Sequence, residues 1–413
     1  MALSLTAFAC LVAPMHAVQA QTIPASAVAP WAKLWDAPVN VQVGTYHGQF
    51  SCAIAGGALG TYKIDYAMTG AVPVNAGPMQ PVYVSQGRSQ ITVPKALVGL
   101  MKVIGGKQIS GAATYVGFRG NGATPAEING AATPIQIPPT ALPASGDLIL
   151  SVPGDSPLTI GPFTATSGTV AFALGNITTQ LNLLNSKGKT ILPLTIACKA
   201  PAPVEALFAV NFGGEPDSTP LIPQVEAVPA VGVPLKGVTA ATAVQYRCNL
   251  DGVGSYDVPV TLNATTIGLV FKSGQTWTGE NGRGLVRLPA QAINDVLAQT
   301  PNAVSGRMTV TTLEILAENA LPAVLNVAAQ PLGSNVAPVV VGQEWSAAFP
   351  ANGGALAPIP FKAGVPGVAN IYQGKANAVL ELLDANNSTV RSVNVFCPAR
   401  TPLPPLFPVT VTK

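Results

Sequence analysis

The sequence predicts an all-β protein of two tandem immunoglobulin-like β-sandwich domains, each with a short helix and one intradomain disulfide. Three observations predict it. Apolar residues alternate with period two over many short segments, the pattern of half-buried strands. One half of the chain aligns with the other. Four cysteines remain once an export signal is set aside, one near the start and one near the end of each half.

The first element is that signal. Met1 to Ala20 is an apolar stretch ending in Val18-Gln19-Ala20, the small-residue pattern of a signal peptide cleaved after Ala20. It lacks the usual Lys or Arg before its apolar region. Cys10 and His16 leave with it. An N-terminal arm, residues 21–39, carries Trp31 and Trp35. No later apolar run reaches 18 residues, so no transmembrane span is expected.

The repeat sets the boundaries. Gln49-Phe50-Ser51-Cys52 aligns with Gln245-Tyr246-Arg247-Cys248, and Pro94 to Gly111 aligns without a gap with Pro289 to Gly306. Pro162-Phe163 aligns with Pro360-Phe361, and Cys198 with Cys397. The units therefore run over 40–213 and 238–413, joined by a Pro/Val-rich linker over 214–237.

Within a unit the first strand places Tyr46, Gly48, Phe50, Cys52 and Ile54 on one face. Val244, Tyr246, Cys248 and Leu250 repeat that face. Next comes a helix after Pro94 or Pro289, signalled by Val98, Met101 and Ile104 and by Ile293, Val296 and Leu297. A hairpin follows, with turns at Asn185 to Lys189 and at Asp384 to Ser388. The closing strand turns Leu192, Leu194, Ile196 and Cys198 inward, as it does Val393, Val395 and Cys397. Four cysteines allow three pairings. Duplication favours Cys52–Cys198 and Cys248–Cys397, since each copy must have folded alone. Closing a loop of this length contributes roughly 4–5 kcal/mol at most in the chain-entropy model.

These features (an aromatic-x-Cys opening, a Pro-plus-helix segment, a Ser-Gly turn and a closing strand ending in Cys) resemble a secreted bacterial repeat family of actinobacterial type. Its function is unknown. The resemblance implies an exported tandem β module and supplies no catalytic residue.

The chain is 48% hydrophobic and only 9% charged, with a net charge of +3. The first figure excludes disorder, and the last excludes a strong basic field for nucleic acid. Chemistry is sparse. His47 is the only imidazole after signal removal and reads as a solvent-facing strand residue. A serine triad would need it, and no Gly-x-Ser-x-Gly elbow is present. Gly56 to Gly60 and Gly279 to Gly284 read as hairpin turns, not phosphate cradles. Asp251, Asp257, Glu280, Asp295, Glu314 and Glu318 are scattered, with no calcium-loop spacing. The sequons at Asn176, Asn263 and Asn387 are silent in a bacterium. No metal site or cofactor is expected. Trp31, Trp35, Trp277 and Trp345 are the candidate ligand-contact aromatics, because exposed tryptophan can stack on sugars or lie on lipid.

The expected function is an exported, non-enzymatic structural or adhesive protein of the cell surface or extracellular space, with envelope lipid or polysaccharide as partners. The alternatives are a binding protein for a lipid, sterol or hydrophobic polymer, and a secreted hydrolase of unrecognised type.

Overall fold

The computed structural model describes residues 38–154, 156–214, 233 and 235–413. The signal segment, Trp31, Trp35 and most of the expected linker lie outside them. The fold is all-β with two short α-helices and two disulfides.

In the first half the principal elements are β1 (Val41–Ile54), β2 (Thr61–Pro73), β3 (Val82–Val93), α1 (Lys95–Val103), β4 (Gln108–Asn121), β5 (Leu158–Phe163), β6 (Gly168–Leu184), β7 (Thr190–Lys199) and β8 (Ala206–Phe212). The second half follows the same order. It has β9 (Gly237–Leu250), β10 (Gly254–Ile267), β11 (Thr276–Leu288), α2 (Ala290–Ala298), β12 (Ser305–Glu318), β13 (Ile359–Ala363), β14 (Gly367–Leu383), β15 (Thr389–Cys397) and β16 (Pro405–Thr412).

Period-two alternation works as expected. Tyr46, Phe50, Cys52 and Ile54 on β1 are buried, as are Tyr246, Cys248 and Leu250 on β9. The strands wrap around a core: β3 pairs β2, β2 pairs β1, β1 pairs β7, and β6 joins both β7 and β4. β5 pairs β3, and a bridge between Thr124, just past β4, and Thr164, just past β5, joins the two ends of this path. Around the second core, β11, β10, β9, β15, β14 and β12 follow the same course.

Each helix has proline at its N-cap, Pro94 or Pro289, where the missing N–H costs nothing. Leu97, Val98 and Met101 of α1 face the first core; Ala292, Ile293 and Val296 of α2 face the second. Ile104, just past α1, stays partly exposed. The hairpin turns also agree with the sequence. Asn185 Oδ1 accepts from the backbone N–H of Lys187 and Lys189 at 2.9 and 3.1 Å. Asp384 Oδ1 does the same for Asn386 and Ser388 at 2.8 and 2.9 Å. Both are Asx turns.

One segment departs from expectation. Gly279 to Gly284 is not a turn but the interior of β11, where a bulge opposite Asn263 and Thr265 places Asn281 at φ 54°. A bulge inserts an extra residue and favours positive φ, so glycine and asparagine are as suited to it as to a hairpin.

The halves share one sheet. β1 runs antiparallel to β9 from Val41 opposite Ala243 to His47 opposite Gly237. Val41, Val43, Ala71 and Ala243 form a small apolar cluster on this seam. Val238, Ala240 and Leu269 pack into the first core.

Candidate functional site

The disulfides are Cys52–Cys198 and Cys248–Cys397, spanning 146 and 149 residues. In the first half the bridged residues are direct cross-strand partners of β1 and β7. Tyr66 places its hydroxyl 3.7 Å from Cys198 Sγ. The bridges thus clamp opening strand to closing strand inside each core.

The seam between the halves is polar and buried. Gln42 is fully buried; its Nε2 donates to Thr242 Oγ1 at 3.3 Å and to the Leu406 carbonyl, while its Oε1 accepts from the Ala209 N–H at 3.3 Å. One side chain therefore ties three strands from both halves. Tyr46 donates its hydroxyl to Glu205. Burial holds the Glu205 carboxyl above its usual range, an effect the Tyr46 bond and nearby Lys236 oppose. Asn40 Oδ1 accepts from the Gln245 N–H at 3.1 Å and from Arg400 Nη1 at 2.8 Å. Tyr372 links Thr169, 2.9 Å away, to Glu318, to which it donates at 2.7 Å.

His47 belongs to this seam and is not solvent-facing: it is 4% exposed, with Nδ1 3.2 Å from the Val233 carbonyl. Burial lowers its pKa below 6.5, against the opposing influence of the Val233 carbonyl and of Asp65. The face of β1 that alternation assigned to water is covered by chain nearly two hundred residues later.

The tryptophans are also inside. Trp277 and Trp345 are each 3% exposed. Trp277 lies in β11, not a loop, stacked between Phe271 and Phe361 at ring distances of 5.5 and 4.7 Å. Trp345 donates its indole N–H to the Ala337 carbonyl at 3.3 Å. Neither presents a face to a surface ligand, and the expectation that they are exposed ligand-contact aromatics is corrected for both.

Each half holds an apolar cavity between its strands. A cavity of about 50 Å³ in the first is walled by Tyr66, Met68, Gly87, Val116, Phe118 and Leu158 among others. One of about 40 Å³ in the second is walled by Leu262, Ala264, Gly282, Leu313, Ile315 and Leu356 among others. The walls come from matching strands: β2, β3 and β4 in one, β10, β11 and β12 in the other, closed by a leucine near β5 or β13. The space is divided into narrow crevices between side chains. Gly279 and Gly282 of the β11 bulge bring bare backbone to the second cavity, and the exposed Arg283 also lines it.

Sequence reasoning missed one recurring device. Asn129 Oδ1 accepts from the N–H groups of Val116 and Ala131 at 3.0 and 2.9 Å. Asn326 Oδ1 accepts from Leu313 and Ala328 at 2.9 and 3.0 Å. Each pins a crossing segment onto the strand that walls a cavity. The only signal was an asparagine at matching offset in otherwise dissimilar stretches.

Among the described residues no group of three or more His, Cys, Asp or Glu side chains is placed to hold a metal ion. No helix there is long and apolar enough to cross a membrane. Residues 49–209 match a family described only as a family of unknown function (DUF6801). The match brackets Cys52 and Cys198 and so corresponds to the first disulfide-closed core. Among curated proteins none matches the chain.

Proposed function

We propose that this chain is an exported, non-enzymatic structural or adhesive protein of the cell surface or extracellular space, built from two copies of one disulfide-closed β unit. The observation that carries the reading is the combination of two covalently closed cores with a continuous sheet across them. A bridge over about 146 residues contributes roughly 5 kcal/mol by restricting the unfolded chain. Such bridges persist in oxidising compartments. The β1–β9 zipper and the buried polar seam make the two units transmit load as one body, which suits a scaffold better than a hinge. Envelope lipid or polysaccharide is the partner such a module would meet.

Fractionation of the native cell tests this. The chain should appear in the envelope or the medium, beginning near Gln21, with both bridges intact on a non-reducing peptide map. Protein found only in the cytosol, with its leader uncleaved and its thiols free, would overturn the reading.

A further inference from the structure

The end of the first unit that lies away from the seam is both apolar and basic. β1 meets β9 through Val41 to His47 and meets β7 through Ser51 to Ile54. The hairpin turn at Asn185 to Lys189 therefore lies beyond the far end of β1. The end of α1 sits beside it: the Lys107 N–H donates to the Leu184 carbonyl at 2.8 Å, and a Cβ on Gly105 would lie 3.8 Å from Ile191 Cδ1. Val103, the last residue of α1, is 86% exposed, and Ile104 and Ile191 are exposed as well. Single exposed aliphatic side chains are ordinary, but several gathered at one tip mark a contact surface.

The second unit builds the same tip. Leu183 lies opposite Leu192 and Leu184 opposite Thr190, which makes Ile191 the extra residue of a bulge; Val390 is the extra residue of the matching bulge. The Val304 N–H donates to the Leu383 carbonyl at 2.9 Å, and Val304, Val341 and Val390 are exposed.

Charge separates the two tips. The first carries Lys102, Lys107, Lys187 and Lys189, where the aligned positions of the second hold Leu297, Asn302, Asn386 and Ser388. Lys107, Lys187 and Lys189 are exposed and enter no ion pair among the described residues. Lys102 donates to the Pro143 and Ala144 carbonyls at 3.0 and 2.7 Å. Asp147, the one carboxylate on these segments, accepts the Lys95 N–H at the other end of α1, at 2.7 Å.

We infer that the tip formed by the end of α1 and the β6–β7 hairpin is a docking site for an anionic lipid surface. Its aliphatic side chains enter the headgroup region while the lysines meet the negative charge, two contributions that add in interfacial binding. An acidic polysaccharide would engage the lysines but leave Val103, Ile104 and Ile191 in water, so the apolar side chains favour lipid. The inference rests on the exported surface role proposed above and names its partner and its point of contact. An exported, bridged chain that ignores lipid would leave that role standing and remove this site alone.

The test is co-sedimentation of the oxidised chain beginning at Gln21 with vesicles of equal parts phosphatidylglycerol and phosphatidylcholine, or of phosphatidylcholine alone. The mixed vesicles should bind at least about tenfold more tightly, and less so as salt is raised. Lys187→Gln/Lys189→Gln should lower affinity for them about tenfold. Val103→Ser/Ile191→Ser should lower it by a similar factor, about tenfold, although every lysine remains. Val304→Ser/Val341→Ser, at the uncharged tip, should leave it unchanged. All six positions are exposed, and near-ultraviolet circular dichroism shows that each variant keeps its core. Equal binding to the two kinds of vesicle, or none to either, would overturn the inference. So would lysine variants that bind as before, or a loss just as large in the second-tip variant. Undiminished binding in Val103→Ser/Ile191→Ser, with a soluble acidic polysaccharide competing the vesicles away, would assign the lysines to that glycan instead.

Discussion

At the scale of single residues, the seam makes testable demands. His47 is held neutral by burial, so its pKa in the folded chain lies below the 6.5 of the unfolded one. The unfolded state then binds more protons over that interval, and stability rises with pH across it. His47's share of stability is complete above about pH 6.5 and is lost as the pH falls below it. Urea midpoints from pH 7.5 to 5 should therefore drop more in the wild-type protein than in His47→Gln; parallel profiles would contradict the assignment. Glu205 has the opposite sense, because its folded pKa is raised above 4.5. Its ionisation is disfavoured by folding at neutral pH and indifferent at about pH 3, well below 4.5, where both states are protonated. Glu205→Gln keeps an acceptor for Tyr46 and should raise the midpoint at pH 7 but leave it unchanged at about pH 3. His47 was misread in the sequence for a physical reason: alternation reports two faces of a strand, and cannot say that a distant segment covers the second. Trp277 was misread as exposed likewise, because Phe271 and Phe361, which cover it, come from other segments of the chain.

At the scale of elements, legibility followed range. The helices, the hairpins and the inward faces of β1 and β9 depend on near neighbours and could be read directly. The β11 bulge and the pinning asparagines depend on partners across the sheet and could not. Gly48 shows why such partners matter. A Cβ there would lie 1.6 Å from the Tyr46 hydroxyl, because the tyrosine lies over the glycine on its own strand. Gly48→Ala must displace Tyr46 and break its bond to Glu205, a clash expected to cost about 1–3 kcal/mol in chemical denaturation. In α2, Ile293 is fully buried against the second core. Ile293→Ala should cost about 2–5 kcal/mol, whereas Val304→Ala at an exposed position just past the helix should be nearly silent. Equal effects at the two sites would contradict the placement of the helix.

At the scale of the whole molecule, the chain is 48% hydrophobic and only 9% charged. Inward faces of two closed cores absorb much of that composition. The seam absorbs more, since Val41, Val43, Ala71 and Ala243 are buried where two separate domains would each have exposed a strand edge. Thr242, Gln42 and Thr261 are polar yet buried, so part of the neutral polar content also serves the interior. What joins composition to role is covalent closure: pulled from its ends, the oxidised protein can lengthen only outside the two loops. Single-molecule stretching of the intact chain measures this directly. The bridges shield 146 and 149 residues, so reducing agent should release roughly 1,000 Å of extra contour at about 3.4 Å per residue, in two steps of similar size. An oxidised chain that extends as far as the reduced one would contradict the central claim that each core is a covalently closed, load-bearing unit.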